Sequence, residues 1–332
     1  MNRVSILIPT LNRSEFLIRQ LRYYASVNSP HSVYIGDASN QEEYDKTKKV
    51  VNELKSIISI QHNHWPKLND RKTLTKLGSV AEEKYCAFTG DDDFLIPVSL
   101  SKCADFLEKN HDFRTAQGRG VLFSLNNFGE YGGLKAVAPY AGKNEVLKDS
   151  AWERILHFGQ NYWTPQFSVH RRHEYVEDSS DYEVIADRRF GELIHNFTFI
   201  CKGKSKFIDG LHVIRHGHDL RGLDSGVIDW LISPDWQPSF QLFLDSISNF
   251  IVKLDNISVD DARESVRQAF LAYFEAMIIN KYGINKYKKI IIAKLKESQI
   301  MQEVLKNTRF FRSKVFAKSG EISLPSLLNS AS

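Results

Sequence analysis

Three consecutive aspartates, Asp91, Asp92 and Asp93, are the residues of this sequence with the clearest capacity for chemistry. They follow an apolar run at residues 85–89 that is typical of a strand. Like charges this close repel one another, and a neighbouring cation removes that cost. In extended backbone Asp91 and Asp93 point to the same side, so the pair offers oxygens to a hard cation such as Mg²⁺ or Mn²⁺. A solvated acidic turn ahead of the helix that begins at Pro97 is the plainer explanation.

The predicted secondary structure places these aspartates at the edge of a sheet. The first third of the sequence alternates short apolar runs with amphipathic stretches, which is the pattern of a layered βαβ fold. Predicted strands cover residues 4–8, 33–35, 57–61, 85–89 and 118–124, and predicted helices cover residues 14–27, 45–54, 72–83 and 97–109. The glycine-rich residues 129–142 are predicted to be loop. An Asp-x-Asp motif after a strand of an open α/β sheet lies where such folds bind ligands.

The composition is that of a folded globular protein. The chain has 332 residues, of which 42% are hydrophobic and 25% are charged, so a disordered or low-complexity protein is excluded. Its apolar runs are shorter than the ~20 residues that cross a bilayer. The three scattered cysteines argue against a disulfide scaffold and against a cysteine zinc site. Because the N-terminal residues show no signal-peptide pattern, we expect a cytoplasmic protein.

Charge is distributed unevenly along the chain. The net charge is +4, yet residues 281–318 hold 11 Lys and Arg against two Glu, a local +9 that leaves −5 for the remainder. A basic C-terminal end on an acidic body predicts peripheral contact with an anionic surface, such as the inner membrane leaflet. A solvated helix face explains the same pattern. We expect no nucleic-acid partner.

Three segments, in this order, carry a resemblance to a known family. Residues 4–13 read Val-Ser-Ile-Leu-Ile-Pro-Thr-Leu-Asn-Arg, residues 33–40 read Val-Tyr-Ile-Gly-Asp-Ala-Ser-Asn, and residues 85–94 read Tyr-Cys-Ala-Phe-Thr-Gly-Asp-Asp-Asp-Phe. The set resembles the family 2 glycosyltransferases, which have the GT-A fold and use nucleotide sugars. The resemblance implies an α/β fold of the GT-A type, with a Rossmann-like, mostly parallel central sheet, flanking helices and a helical C-terminal region. Three residues depart from the family pattern: Gly36, Ala38 and Gly90.

The resemblance also implies a donor site at the ends of these strands. Asp37 would accept hydrogen bonds from the base or the ribose of the donor. Asp91 and Asp93 would hold a Mn²⁺ or Mg²⁺ ion that bridges the donor diphosphate. The implied nucleotide-binding residues are Pro9, Thr10, Asn12, Arg13, Asp37, Arg71, Asp91 and Asp92. A long basic residue such as Arg71 is also explained as a solvated helix side chain.

A general base is the next implied residue. An inverting transferase needs a base for the acceptor hydroxyl, and the family places an acidic helix start downstream of the metal motif. Residues 185–194, Ile-Ala-Asp-Arg-Arg-Phe-Gly-Glu-Leu-Ile, match that spacing, which makes Asp187 the predicted base. Ala186 stands at the family's glutamate position, so three other acids remain alternatives: Asp181, Glu183 and Glu192. A carboxylate at a helix start is also favoured by the helix dipole.

Residues 211–221, Leu-His-Val-Ile-Arg-His-Gly-His-Asp-Leu-Arg, admit three interpretations. By resemblance, His216 or His218 adds a metal ligand or contacts the diphosphate, with Arg215 or Arg221 as a phosphate partner. The Arg-His-Gly sequence also occurs in histidine phosphatases, where it normally opens the domain. Zinc bound by three histidines of this segment, including His212, would require a fourth ligand to which the sequence does not point.

The acceptor side is predicted from fewer signals. Trp163 is predicted to stack on an acceptor sugar ring, because an aromatic face suits the apolar C–H surface of a sugar. Glu183 and Arg221 are further predicted acceptor-binding residues.

Together these patterns predict a metal-dependent, inverting glycosyltransferase that acts on a glycan or lipid-linked acceptor in bacterial surface polysaccharide synthesis. The predicted domains are a GT-A domain over residues 1–235, with a donor half at 1–125 and an acceptor half at 126–235, a helical domain over 236–318 and a flexible tail over 319–332. Two other classes stay open. One is a sugar-phosphate nucleotidyltransferase or a histidine-dependent phosphatase, and the other is a catalytically silent nucleotide-binding module.

Overall fold

The computed structural model describes residues 2–127, 129–179, 185–218 and 226–282. Most of the basic segment 281–318 and the whole of the predicted tail lie outside these residues. None of the described helices is both long and apolar enough to cross a membrane.

Strands of the described residues form one mixed sheet. They are β1 (Val4–Thr10), β2 (Val33–Asp37), β3 (Ile60–His64), β4 (Tyr85–Phe88), β5 (Phe94–Leu95), β6 (Phe113–Leu125), β7 (Leu134–Ala141), β8 (Val169–Arg171) and β9 (Lys204–His216). Their order is β3-β2-β1-β4-β8-β6-β9-β5, with β7 paired to β6. The first four strands pair in parallel, and β6 pairs in parallel with β9, while β5, β7 and β8 make antiparallel pairings.

Helices connect the strands and continue toward the C-terminus. They are α1 (Ser14–Ser26), α2 (Gln41–Leu54), α3 (Asp70–Val80), α4 (Pro97–Lys109), α5 (Ala151–Gln160), α6 (Arg172–Asp178), α7 (Arg188–Lys202), α8 (Val227–Leu231), α9 (Trp236–Asp255) and α10 (Val259–Tyr282), with a short 3-10 helix at Pro165–Phe167. The predicted fold class, an α/β sheet with flanking helices and further helices toward the C-terminus, is confirmed.

Local sequence explains where several of these helices begin. The side chain of Asn40 accepts a hydrogen bond from the backbone N–H of Glu43 and caps α2, and Asn69 caps α3 in the same way. At α4, Pro97 occupies the first turn, where its missing N–H costs nothing.

The prediction of loop over residues 129–142 is wrong at residues 134–141, which form β7. Residues 134–139 of this strand are exposed, and the strand pairs with β6 through backbone hydrogen bonds between residues such as Phe123 and Val137. A strand that is held by hydrogen bonds to its neighbour and buries few side chains shows only a weak hydrophobic pattern in its sequence. The glycines that flank it therefore led to the prediction of a loop.

The order in which strands are added to the sheet reverses at β1. From β1 the order runs through β2 to β3 on one side and through β4 to the later strands on the other. In open α/β sheets the crevice at such a point, beyond the carboxyl ends of the strands, is where ligands bind. The residues that follow β1 and β4 therefore lie in the position that the fold offers to a ligand.

Close packing fixes the strand and helix layers on this side of the sheet. Val4, Ile6 and Ile8 of β1 are buried with Leu17 and Leu21 of α1. On β2, a Cβ at Gly36 would lie 2.3 Å from a methyl carbon of Thr73 in α3. Steric demand therefore explains a glycine at a position where the family pattern has an acidic residue.

The chain divides into two compact units that interleave in sequence. One comprises residues 1–149, 163–184 and 191–222, and the other comprises residues 150–162, 185–190 and 223–332. The predicted domain limits are single cuts in the chain, and as domain limits they stay predictions.

The second unit is held together by aromatic side chains. Phe190 lies 5.0 Å from Trp230 and 5.8 Å from Phe270, measured between ring centroids, and Trp236 stacks on Phe240 at 5.1 Å. Such pairs add directional contacts to the burial of large apolar surfaces.

Candidate functional site

The acid turn, defined here as residues 90–93, follows β4 and lies beside the turn that follows β1. The hydroxyl of Thr10 donates to Oδ2 of Asp91 at 2.8 Å, and Nη1 of Arg13 pairs with Oδ1 of the same carboxylate at 3.0 Å. Asn12 turns the chain between these two residues with φ at 53°, a conformation that asparagine tolerates better than most residues. The predicted Pro-Thr-x-Asn-Arg turn and the predicted aspartates thus meet in the folded chain.

Asp92 is held by two basic side chains. Its Oδ2 accepts a hydrogen bond from Nη2 of Arg13 at 2.8 Å and lies 2.8 Å from Nε2 of His218. The Arg13 guanidinium therefore bridges Asp91 and Asp92, and His218 reaches the same carboxylate from the segment after β9.

Asp93 is bound from β9. Its Oδ2 accepts from Nε of Arg215 at 3.0 Å, and its Oδ1 accepts from the backbone N–H of His216 at 2.9 Å. Arg215 in turn donates to the hydroxyl of Tyr140 at 2.6 Å, and its guanidinium carbon lies 4.6 Å from the ring centroid of Tyr140 and 4.7 Å from that of Phe167. Strands β4 and β9 are far apart in sequence, and this carboxylate joins their ends.

Helix α1 holds the backbone of the acid turn. The side-chain amide of Gln20 donates to the carbonyl oxygen of Gly90 at 2.9 Å and also to that of Asp93. Nη2 of Arg19 donates to the carbonyl oxygen of Asp92 at 2.9 Å. Because these contacts use the main chain, they fix the turn and leave the carboxylates to other partners.

Aromatic rings line the cluster. His218 stacks on Phe16 at 5.1 Å, and His216 stacks on Phe123 at 4.5 Å with an interplanar angle of 3°. His216 is fully buried. A nucleophilic histidine has to be reached by its substrate, so the phosphatase interpretation finds no accessible nucleophile at His216.

The zinc interpretation meets a similar obstacle at His212. Its Nδ1 lies 2.9 Å from the hydroxyl of Ser99 and its Nε2 lies 2.9 Å from the carbonyl oxygen of Phe167, so both ring nitrogens already have partners. Burial lowers the pKa of His212 to about 4, opposed by the hydrogen bond to Phe167. This histidine is part of the protein interior.

Electrostatics at the acid turn favour a further cation. Burial raises the pKa of Asp91 to about 7; Arg13 opposes the increase, and Asp92 and Asp93 add to it. Burial disfavours the ionised form of this carboxylate, and a cation bound beside it would favour that form.

The donor groups fit a metal that is shared with a substrate. Within the described ranges, no group of three or more His, Cys, Asp and Glu side chains is arranged to hold an ion without help. Mg²⁺ in phosphate-handling sites is commonly held by one or two carboxylates, with substrate phosphates and waters completing its shell. A carboxylate oxygen carries two lone pairs, so accepting one hydrogen bond does not by itself prevent it from contacting a metal. These carboxylates therefore suit Mg²⁺ or Mn²⁺ together with a diphosphate.

Asp37 lies at the end of β2, next to the turn after β1. Its Oδ2 lies 2.9 Å from Nε2 of His62 and its Oδ1 accepts from the backbone N–H of Ser39 at 2.9 Å. Burial acts to raise the pKa of Asp37, but the hydrogen bonds from His62 and Ser39 outweigh it and lower the pKa below its usual value. A donor base or ribose would share this carboxylate with His62.

The sheet and helices around this cluster match solved structures. The fold resembles that of S. aureus TarS. A crystal structure of TarS matches with a TM-score of 0.55 at 14% identity, over 91% of this chain and 49% of that chain. The 1–349 portion of TarS in complex with UDP-GlcNAc matches with a TM-score of 0.56 at 13% identity, over 89% of this chain and 80% of that chain.

This chain spans about half the length of the first of these TarS structures. The complex of TarS 1–349 with UDP matches with a TM-score of 0.53 at 14% identity, over 86% of this chain and 74% of that chain. No protein-family model and no curated protein sequence matches this chain. At this level of identity the likeness to TarS shows a shared fold.

Asp187, the predicted base, lies directly before α7. Its Oδ1 accepts from the backbone N–H of Phe190 at 2.7 Å, which caps the helix. The indole N–H of Trp230 lies 3.1 Å from both carboxylate oxygens. The side chain is partly exposed. The cap that the helix-dipole explanation implies is thus present, and the role of Asp187 as a base stays a prediction.

The remaining predicted residues are placed as follows. Arg71 lies in the first turn of α3 and is partly exposed. Trp163 is 6% exposed, so stacking on an acceptor sugar would require the ring to be uncovered. Glu183 and Arg221 lie outside the described residues.

Sequence reasoning missed the two α1 residues that hold the acid turn and the tyrosine that holds Arg215. Arg19 and Gln20 carry no motif, and Gln20 is a polar residue on the buried face of α1. A polar residue at a position where helical spacing predicts burial is the signal that could have found Gln20.

Proposed function

We propose that this protein transfers a sugar from a nucleoside-diphosphate sugar to a hydroxyl group of a glycan or lipid-linked acceptor, with Mg²⁺ or Mn²⁺ as cofactor. The observation that carries the proposal is the acid turn at the point where the sheet reverses, surrounded by arginines. The complexes of TarS with UDP-GlcNAc and with UDP support it and make UDP the first nucleotide to test.

Charge balance supports a donor that enters together with a divalent cation. Three carboxylates, Asp91, Asp92 and Asp93, stand against three guanidinium groups, Arg13, Arg19 and Arg215, within hydrogen-bonding range of the turn. Among the described residues at the turn, these carboxylates and guanidinium groups are therefore equal in number. The diphosphate of a nucleotide sugar carries two negative charges, which a divalent cation neutralises as the leaving group departs.

The chemistry assigned to the chain is a single displacement with inversion. The acceptor hydroxyl attacks the anomeric carbon, the bond from that carbon to the diphosphate oxygen breaks, and the nucleoside diphosphate leaves. Asp187 takes the proton of the hydroxyl. Arg13 and Thr10 hold Asp91 in place, and Asp37 with His62 lies where the nucleoside would bind.

The setting proposed for this activity is the cytoplasmic face of a bacterial membrane, during surface polysaccharide synthesis. The basic residues 281–318 supply the charge for a peripheral contact with anionic lipid.

A thermal-shift experiment tests the proposal. UDP, GDP, dTDP and CMP are each added with Mn²⁺, Mg²⁺ or EDTA. A ligand that binds the folded state alone stabilises it by about 2.7 kcal/mol at a concentration 100 times its Kd. We expect UDP to raise the melting temperature with metal and to lose that effect in EDTA. No shift with any of the nucleotides would contradict the proposal.

The variant Asp93→Ala should abolish the metal-dependent part of the UDP shift, because it removes a carboxylate assigned to the metal. Asp209→Ala is the matched control, since Asp209 is an exposed aspartate on β9 that pairs with Arg119. A full UDP shift in Asp93→Ala would contradict the metal assignment.

A further inference from the structure

Arg19 differs from the other two arginines at the acid turn in its partners. Arg13 and Arg215 each pair with a carboxylate, whereas in the described part of the chain Arg19 makes no ion pair with any acid. Its hydrogen bonds go to the carbonyl oxygens of Glu130 and Asp92, and His216 Nδ1 lies 3.4 Å from its Nη2.

The surroundings of Arg19 hold its guanidinium close to the turn without neutralising its charge. The guanidinium carbon lies 5.3 Å from the centroid of Phe16, 5.1 Å from that of Phe94 and 5.9 Å from that of Phe123. Ring faces attract a cation but do not neutralise it. Burial lowers the pKa of Arg19, and Asp92 opposes this effect only in part. The Nε atom is buried and has no hydrogen-bond partner among the residues that the structure describes.

A partly buried guanidinium that makes no direct ion pair is costly to keep in a folded protein. The cost falls when a ligand brings negative charge to it. A phosphate group suits this side chain, because two N–H groups of a guanidinium match two phosphate oxygens.

We propose that Arg19 binds the distal phosphate of the nucleoside-diphosphate donor and carries its charge as the leaving group forms. The inference rests on the proposed function and adds a residue that no motif of the sequence marks. The backbone contact with Asp92 keeps Arg19 at the turn assigned to the diphosphate. The carbonyl of Glu130 is the contact that the phosphate replaces, since a charged oxygen is the stronger acceptor.

The test compares UDP with UMP, which differ by the distal phosphate. Binding of each nucleotide to the full-length chain is measured by titration calorimetry in the presence of Mn²⁺, for the wild type, Arg19→Met and Arg19→Lys. Methionine keeps an unbranched apolar stem among the three rings and removes the charge. Lysine keeps the charge and loses the paired N–H groups of the planar guanidinium. Arg22→Met is the matched control, because Arg22 is an exposed arginine one turn along the same helix.

We expect the preference of the wild type for UDP over UMP to shrink about tenfold or more in Arg19→Met, the size of a lost charged hydrogen bond, while UMP affinity changes less than about twofold. Arg19→Lys should keep part of the preference, and Arg22→Met should keep all of it. In transfer assays, Arg19→Met should lower kcat by a larger factor than it raises KM, because negative charge develops on the diphosphate as it leaves.

Three results would overturn the inference. If Arg19→Met and Arg19→Lys weaken UDP and UMP by the same factor, Arg19 only holds the turn in place. If the UDP preference is unchanged in Arg19→Met, the distal phosphate binds elsewhere. If the wild type binds neither nucleotide, the proposed donor falls as well, and the wild-type titration alone distinguishes this case from the other two.

Discussion

At the scale of single residues, the acid turn shows how one carboxylate can serve structure and chemistry. Asp91, Asp92 and Asp93 each accept hydrogen bonds that tie together chain segments far apart in sequence, from the turn after β1 and from β9. The same oxygens are the groups proposed to hold a metal with the donor diphosphate. Substitution at these positions therefore changes both the shape and the charge of the site.

At Asp187 the structural role as a helix cap and the proposed role as a base can be tested separately. Asp187→Asn keeps an oxygen that accepts from the backbone N–H of Phe190, so the helix cap survives and the charge is lost. We expect donor binding and folding close to wild type and a loss of transfer of about 100-fold or more, the usual contribution of a general base. Transfer is measured as release of nucleoside diphosphate.

Two companion variants complete the Asp187 experiment. Asp187→Ala should lose transfer and also about 1 kcal/mol of stability, because the cap is gone. Asp229→Asn, on the exposed face of α8, should change neither. Full transfer by Asp187→Asn would show that the carboxylate is a cap and that the base is another residue.

At the scale of elements, α5 and α10 approach one another at a glycine. A Cβ at Gly159 would lie 2.1 Å from the carbonyl oxygen of Ala269, and a backbone atom cannot move aside as a side chain can. Gly159→Ala should destabilise the protein by about 1–3 kcal/mol, the usual cost of overpacking. Urea unfolding followed by circular dichroism measures it.

The control for this pair of helices is Gly142→Ala, where a Cβ would meet nothing within 4 Å. We expect its unfolding midpoint to stay close to that of the wild type. Equal midpoints for Gly159→Ala and Gly142→Ala would mean that α5 and α10 are further apart than described.

His212 of β9, which packs against Ser99 of α4, predicts that the stability of the folded protein depends on pH. Burial lowers the pKa of His212 to about 4, whereas a histidine in the unfolded chain titrates near 6.5. Between these values the unfolded chain binds a proton that the folded chain does not, so stability falls as the pH is lowered. The contribution is about 1.4 kcal/mol per pH unit at most. His170 and His195, whose pKa values burial lowers to about 3, act in the same direction.

His212→Gln should therefore reduce the slope of unfolding free energy against pH between pH 6.5 and 4.5, whatever its effect on stability at pH 7. Denaturant titrations at a series of pH values give this slope. His111→Gln, at an exposed position, should leave it unchanged. Identical slopes for His212→Gln and the wild type would contradict a buried, neutral His212.

At the scale of the whole molecule, the uneven charge predicts where the protein binds. With +9 on residues 281–318 and −5 on the rest, the chain should bind vesicles that contain anionic lipid and be released by salt. Each basic residue near an anionic surface contributes about 1 kcal/mol. The double variant Lys288→Glu, Lys289→Glu should therefore weaken binding by about tenfold or more, measured by co-sedimentation.

The matched control changes the same net charge elsewhere. Lys48→Glu, Lys49→Glu alters two adjacent exposed lysines of α2 and should leave vesicle binding close to wild type. Equal vesicle binding by both double variants would mean that net charge, and not the C-terminal segment, determines binding. That result would contradict the proposed membrane contact.

Short-range signals let the sequence alone predict much of the fold. The apolar runs at β1, β2 and β4 and the amphipathic spacing of α1 and α4 are visible because each is set by neighbours along the chain. The acid turn was placed correctly at the end of a strand for the same reason. Strand β7 escaped prediction, because its partner β6 is the source of its order.

Only the tertiary structure decided what surrounds the acid turn. The sequence places Thr10, Arg13 and the three aspartates in two separate motifs, and the order of β1 next to β4 brings them within hydrogen-bonding distance. Arg19 carries no motif, and the sequence predicted Arg215 as a phosphate partner and not as the partner of Asp93. Their contacts follow from the face of α1 and the end of β9 that the packing presents to the turn. Interactions between neighbours in sequence thus determine the helices and strands, while contacts between residues distant in sequence determine which charged side chains pair at the site.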